Sequence, residues 1–210
     1  MTKDRSTPPW APLLATVLNW RSGAGPDASK QQAAQWRKIR ASLRRGASES
    51  TEHYAYPYVL PKAPFDSRLL KTTAVRLCAL VAEHDKIPVF QATEKTRYRS
   101  LGQWCNLVSH GLAGDGVSLD PAKPDSVASR LAYIHTQTAP EAITTIRRIM
   151  DVAAKLDTVP ALDFYDLFAT FFYWGNGFSA ESVARRRRIL QDYYSGFAAQ
   201  KSSDTTSVIS

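Results

Sequence analysis

The residues with the clearest chemical potential are four consecutive arginines, Arg185-Arg186-Arg187-Arg188, inside the run Ala184 to Tyr194. Helical periodicity places Val183, Leu190, Tyr194 and Phe197 on one face. Arg185, Arg188 and Asp192 then point the opposite way, and Arg186 and Arg187 flank the apolar stripe. Arginine keeps its charge at any working pH, and its planar fork matches phosphate oxygens. A basic helix face can equally be plain solvated surface with an Arg188–Asp192 pair. Further basic groups tip the reading toward a polyanion. Arg37, Lys38, Arg40, Arg44 and Arg45 form one cluster, and Arg147 with Arg148 another. The formal net charge is +8.

Reaction chemistry has little to build on. His53, His84, His110 and His135 are scattered, without metal-ligand spacing. His84-Asp85 could belong to a metal-dependent phosphohydrolase, but it falls at a helix C-terminus, where a histidine is favoured electrostatically. Gly114-Asp115-Gly116 and Gly175-Asn176-Gly177 are turn sequences, not phosphate cradles. Asp163 and Asp166 read as helix caps. No catalytic residue, metal or cofactor is expected. Cys78 and Cys105 lie in apolar helical runs and read as buried free thiols. Met1–Pro9 lacks the apolar segment of a secretion signal, and no apolar run reaches membrane-spanning length. The expectation is a cytoplasmic protein.

The elements that must position these arginines are helices throughout. The pattern predicts about eight of them: 12–21, 28–45, 66–83, 100–112, 124–137, 139–156, 163–175 and 179–199, with an aromatic, Pro-rich turn at 52–64. Asp66 is the expected N-cap of the third, with Leu69, Leu70, Thr73, Leu77, Cys78 and Val81 as its buried stripe. Thr138 with Glu141 gives a capping box. Phe164, Phe168, Phe171, Phe172 and Trp174 should centre a core. The glycine and proline breaks of 113–124 suggest two small packed helical lobes, 10–113 and 124–200. These would be joined by a linker at 114–123, with disordered ends at 1–9 and 201–210. Tyr54, Tyr56 and Tyr58 read first as core or interface aromatics and second as base-stacking ones.

The order of motifs is informative where each alone is weak. Leu43-Arg44-Arg45-Gly46 is followed by a Leu-rich helix with Cys78 and then Ser100-Leu101-Gly102. Ile146-Arg147-Arg148-Ile149 and Leu162-Asp163-Phe164-Tyr165 come next, then an aromatic helix ending at Trp174 and an Arg-rich one finishing Asp192-Tyr193-Tyr194. Over residues 12–197 this series resembles the small subunit of the type I-E CRISPR surveillance complex, the CasB family of Cascade. The resemblance implies a non-catalytic all-α subunit that forms a head-to-tail dimer in a crRNA-guided ribonucleoprotein. It implies contacts with Cas7-type backbone and large subunits, and with the target and non-target DNA strands. The nucleic-acid contacts expected on this basis are Arg37, Arg40, Arg44, Arg45, Arg97, Arg99, Arg147, Arg148, Arg185 and Arg188. Arg186 and Arg187 are expected to pack their stems or meet a protein neighbour. Arg147 could instead pair with Asp151. Family members often carry a basic residue after Ser-Leu-Gly; here it is Gln103, with Arg97 and Arg99 nearby. The competing readings are a free-standing helix-turn-helix regulator, with Gly175–Ser179 as its turn, and a purely structural subunit.

Overall fold

A computed structural model describes residues 7–204, apart from 24, 26, 64, 95 and 115. Among the described residues there are nine α-helices and no strand, so the chain is all-α. They are α1 (Ala11–Ser22), α2 (Lys30–Arg45), α3 (Tyr56–Val59), α4 (Arg68–Glu83), α5 (Leu101–Ala113), α6 (Ser126–Leu131), α7 (Ala139–Ala153), α8 (Phe164–Phe172) and α9 (Ala180–Asp204). A single parallel bridge, Val89 with Leu162, is the one sheet-like contact among the described residues.

Two compact units form, residues 1–85 and 86–210. The division falls before α5, with residues 114–123 inside the second unit. The reason lies in packing: α5 runs along α9 and also touches α6, α7 and α8. The loop after α5 is therefore internal to the second unit. The expected disordered ends lie mainly outside the described residues. Residues 7–9 lead into α1 through a turn, and 201–204 continue α9.

In the first unit α1 and α2 pack on α4. The middle of α4 is buried almost all round, from Thr73 to Ala82 except Arg76. Leu69, expected in the stripe, is 49% exposed, because α4 meets its neighbours only beyond its first turn. The N-cap is Ser67, not Asp66: its hydroxyl accepts from the Leu70 N–H. Gly46 ends α2 as expected but in a right-handed conformation. Its lack of a side chain answers a space requirement, since a Cβ would lie 3.0 Å from Val75 and 3.1 Å from Ala55. Arg76 donates to the Gly46 carbonyl at 3.0 Å and pairs with Glu52 at 2.9 Å, tying the aromatic turn to α4.

The second unit is centred on the aromatic face of α8 and on Trp104 and Trp174. Phe164, Phe168, Phe171 and both tryptophans are at most 1% exposed. Each buried indole N–H has an acceptor: Trp104 donates to the Pro160 carbonyl at 2.9 Å and Trp174 to that of Gln137 at 3.0 Å. The capping box Thr138–Glu141 forms as the sequence predicts. A second, Ser100 with Gln103, starts α5. Gln103 is thus occupied at the helix start, accepting from the Ser100 N–H at 3.0 Å. Cys78 and Cys105 are free and buried.

Helices α5 and α9 approach through two glycines. A Cβ on Gly102 would strike the Ile189 carbonyl oxygen and stand 2.9 Å from the Tyr193 nitrogen. One on Gly196 would strike Asn106, whose amide donates to the Tyr193 carbonyl at 3.1 Å. Backbone cannot give way as a side-chain end can, so Gly102→Ala should destabilise the fold by about 2 kcal/mol or more. Gly25→Ala meets nothing within 4 Å and should leave stability near wild type. Urea denaturation of both variants measures the difference.

Candidate nucleic-acid interface

The arginines divide into those that satisfy backbone carbonyls and those that face solvent. In the first unit three of them close the C-terminus of α4, where carbonyls have no helical partner. Arg21 donates to the carbonyls of His84 at 2.9 Å and Asp85 at 3.1 Å. Arg40 donates to Ala82 at 3.1 Å and forms an ion pair with the Asp85 carboxylate. Arg44 reaches the Glu83 carbonyl at 3.2 Å. His84, the other half of the His-Asp dipeptide, is buried, with Nδ1 2.9 Å from the Leu80 carbonyl. The dipeptide is thus absorbed by the helix end. No group of three His, Cys, Asp or Glu side chains that could hold a metal occurs among the described residues.

On the same helix Arg45 lies over the Tyr54 ring, 4.4 Å from its centre, and stays exposed. Arg37 and Lys38 are exposed and have no partner among the described residues.

In the second unit α9 is rotated relative to the expected wheel. Its buried face is Ser182, Arg186, Ile189 and Tyr193, while Tyr194 is 42% exposed. The Gly102 and Gly196 contacts set that phase. Tyr193 then bonds Ser109 at 2.9 Å inside the interface, and burial pushes its phenol up to about 12. Arg186 follows it inward to 6% exposure. Its guanidinium donates to the carbonyls of Trp174 at 3.1 Å, Gly175 at 2.8 Å and Gln137 at 3.1 Å, with that of His135 at 3.5 Å. It also lies 5.2 Å from the centre of the Trp174 ring. Burial lowers its pKa from the ordinary value, but a guanidinium in this range remains charged. Arg186 therefore holds the α8–α9 turn and the segment before α7 onto α9.

The other three of the quartet point out. Arg185 pairs with Glu181 at 2.8 Å and lies 5.0 Å from the Tyr173 ring centre. Arg188 meets Asp192 at 3.3 Å and the Tyr98 hydroxyl at 3.2 Å. Arg187, set aside by the sequence reading, is exposed without a partner among the described residues. Arg97 and Arg148 are likewise exposed and unpartnered there. Arg147, next to Arg148 in the chain, is half-buried. Arg99 donates to the Ala161 carbonyl at 2.7 Å and covers the Phe90 ring at 4.6 Å.

Asp166 corrects a second expectation. Asp163 caps α8, accepting from the Tyr165 N–H at 2.9 Å. Asp166 instead is buried and serves α5: it accepts from the Leu101 N–H at 2.7 Å and from the Tyr98 hydroxyl. Burial raises its pKa, outweighing those bonds. The polar group around it is a structural network joining α5, α8 and Arg188.

The helix-turn-helix alternative fares poorly in this geometry. The helix before the Gly175–Ser179 turn buries Phe164, Leu167, Phe168, Phe171 and Phe172 and exposes no cation of its own. The following helix spends Arg186 inward.

Fold and charge together define the class: a basic all-α protein whose arginines both close helix ends and stand singly on separate surface elements. The sequence profile of the family described as CRISPR-associated protein Cse2 matches residues 39–194, well over half of the chain. The chain belongs to the Cse2 family, the CasB small subunits of type I-E Cascade. The matched region holds most of the arginines above but stops short of α1 and most of α2. The chain has no match among curated proteins or among solved structures. None of its described helices is long and apolar enough to cross a membrane.

Two outcomes follow for the quartet and the α4 end. Arg186→Ala should lower unfolding free energy by roughly 3 kcal/mol, because it strands buried carbonyls, while Arg187→Ala should stay within about 0.5 kcal/mol of wild type. Chemical denaturation of the pair reads this. At the α4 end, burial works to raise the Asp85 pKa, but the hydrogen bond and charge of Arg40, with Arg44 behind, carry it below the ordinary value. A depressed carboxylate contributes stability above its unfolded value of about 4 and loses it as pH falls through the folded value. The stability difference between wild type and Asp85→Asn should therefore be present at pH 7 and shrink below about pH 4. Urea titrations at a series of pH values measure it.

Proposed function

We propose that this Cascade subunit grips nucleic-acid backbone without reading sequence, and so stabilises the target and displaced non-target strands of the R-loop. It does this as a non-catalytic member of the crRNA-guided assembly, alongside a second copy of itself and the Cas7-type and large subunits. One observation carries the reading: Arg37, Arg97, Arg148 and Arg187 are exposed on four different elements with no protein acceptor among the described residues. Arg45, Arg185 and Arg188 add exposed charge that ring contacts or a single carboxylate only partly engage. Arg40, Arg44 and Arg99 keep part of their donor capacity after serving carbonyls, and Arg147 lies at the edge of the α7 face.

Guide pairing delegates sequence reading to RNA, so a small subunit needs fixed cations along a track and no base-edge code. Exchange of a DNA duplex for an RNA–DNA hybrid plus a free strand is nearly balanced in energy. A few phosphate contacts are enough to tip it, at the cost of steep salt dependence through counterion release.

Binding of the purified chain to single-stranded DNA, duplex DNA and RNA across a salt series tests this. The slope of log affinity against log salt should be shallower by about 2–3 in an Arg37→Ala/Arg148→Ala/Arg187→Ala variant. An unchanged slope would instead favour a purely structural subunit, and strong preference for one short duplex a regulator.

A further inference from the structure

Between α1 and α2 lies an open cleft of about 420 Å³, lined by Trp20, Gly23, Lys30, Ala33, Trp36, Arg37 and Arg40. The helix geometry makes it. Lys30, Ala33, Trp36, Arg37 and Arg40 recur at the three- and four-residue spacing of one α2 face, with small Ala33 leaving the floor open. Trp20 closes the α1 side and is braced edge-on by Tyr58, ring centres 6.1 Å apart. Gly23 leaves the α1 end without a side chain.

The two tryptophans differ from the rest. Trp10, Trp104 and Trp174 are at most 1% exposed, whereas Trp20 and Trp36 are only half-buried. The buried anchors of α2 are instead Ile39 and Leu43. The rim carries three cations and no carboxylate. Arg40 is engaged by Asp85, but Arg37 is unpartnered among the described residues. Lys30 sits at the first position of α2, where a cation opposes the helix dipole and so contributes nothing to the helix.

From this juxtaposition we infer that the Trp20–Trp36 cleft is a stacking site for an unpaired base of single-stranded nucleic acid. Arg37 and Lys30 hold the flanking phosphates. The inference rests on the backbone-gripping reading and deepens it. Aromatic faces beside cations are the sequence-tolerant means of holding a single strand, because every base has a π-face. Such a site prefers unpaired strand to duplex, which the arginines alone do not. All its lining residues except Arg40 precede the stretch that matches the family.

The experiment needs no label on the protein, since only Trp20 and Trp36 reach solvent. The full chain is titrated with a mixed-sequence single-stranded oligonucleotide and with one of equal length whose bases are replaced by abasic sites. Tryptophan emission and oligonucleotide anisotropy are followed together, for wild type, Trp36→Leu and Trp36→Phe. The expected result is quenching by the base-bearing strand and roughly ten-fold weaker binding of the abasic one. Trp36→Leu should cost the base-bearing strand a similar factor and the abasic strand nothing, and Trp36→Phe should restore most of the loss. Thermal melting confirms that both variants fold. Equal, salt-dependent binding of both strands would overturn the stacking site and leave backbone gripping intact. Equal quenching by polyglutamate would assign the cleft to an acidic protein segment and overturn the inference. Failure of both strands to bind would remove both readings.

Discussion

Backbone carbonyls that no helix can pair are the constraint on which this structure depends. An all-α chain has many helix ends, and each leaves acceptors that must find donors or stay in water. Here the donors are guanidinium groups. At the C-terminus of α4 the carbonyls from Ala82 to Asp85 are met by Arg21, Arg40 and Arg44. Around the α8–α9 turn, Arg186 alone reaches four. A guanidinium suits the task because its donors fan out in a plane and its charge favours the negative end of a helix. Lysine, with one compact head, could not span four carbonyls. The positive charge that composition reports is therefore divided between holding the fold and facing solvent.

The division is set by helix phase, and in α9 phase is set by contact. Gly102 lets α5 meet the α9 backbone and Gly196 makes room for the Asn106 side chain, and these contacts fix which residues of α9 turn inward. Once Ile189 and Tyr193 are seated, Arg186 must be buried and Arg187 must be exposed, one helical step of about 100° apart. Burying an arginine is tolerated only where acceptors surround it. The Trp174, Gly175 and Gln137 carbonyls supply them, and the left-handed Gly175 and Gly177 let that turn close over the guanidinium.

Much of the fold was legible in the sequence because its signals are local. Capping boxes, apolar periodicity and the Phe164–Trp174 aromatic block are decided within a few residues, and they placed most helices to within a turn. The α9 stripe was misread for a physical reason. Val183, Leu190, Tyr194 and Phe197 form a good apolar face on their own helix. The partner helix, however, offers glycine and hydroxyl groups at Gly102 and Ser109, so the buried face carries Ser182 and Arg186 as well as apolar residues. No single-helix wheel contains that information. The same holds for Asp166, whose role is to cap a helix 65 residues earlier in the chain. Gly- and Pro-rich sequence marks the loop after α5, while only long-range packing of α5 on α9 says which unit a loop belongs to. The candidate interface was legible as composition and clustering. The sorting of individual arginines into structural and exposed was not, since it depends on carbonyls distant in sequence.

This sorting bears on how such a subunit can act. Cations gathered in one pocket would select a compact anion and bind it tightly. Cations set singly on α2, the 86–100 segment, α7 and α9 each add a modest, screened attraction, and only a polymer with charge at regular intervals can engage several at once. On the proposed backbone-gripping function, dispersal would give selectivity for a polyanion without selectivity for its sequence. On the same proposal, assembly would strengthen a contact that the isolated chain already makes. Each isolated phosphate contact is weak, but a ribonucleoprotein that already holds the strand nearby raises its effective concentration, so that weak contacts fill. If the proposed function holds, a protein built this way would leave recognition to base pairing and still decide, through the sum of small electrostatic terms, whether an opened duplex stays open.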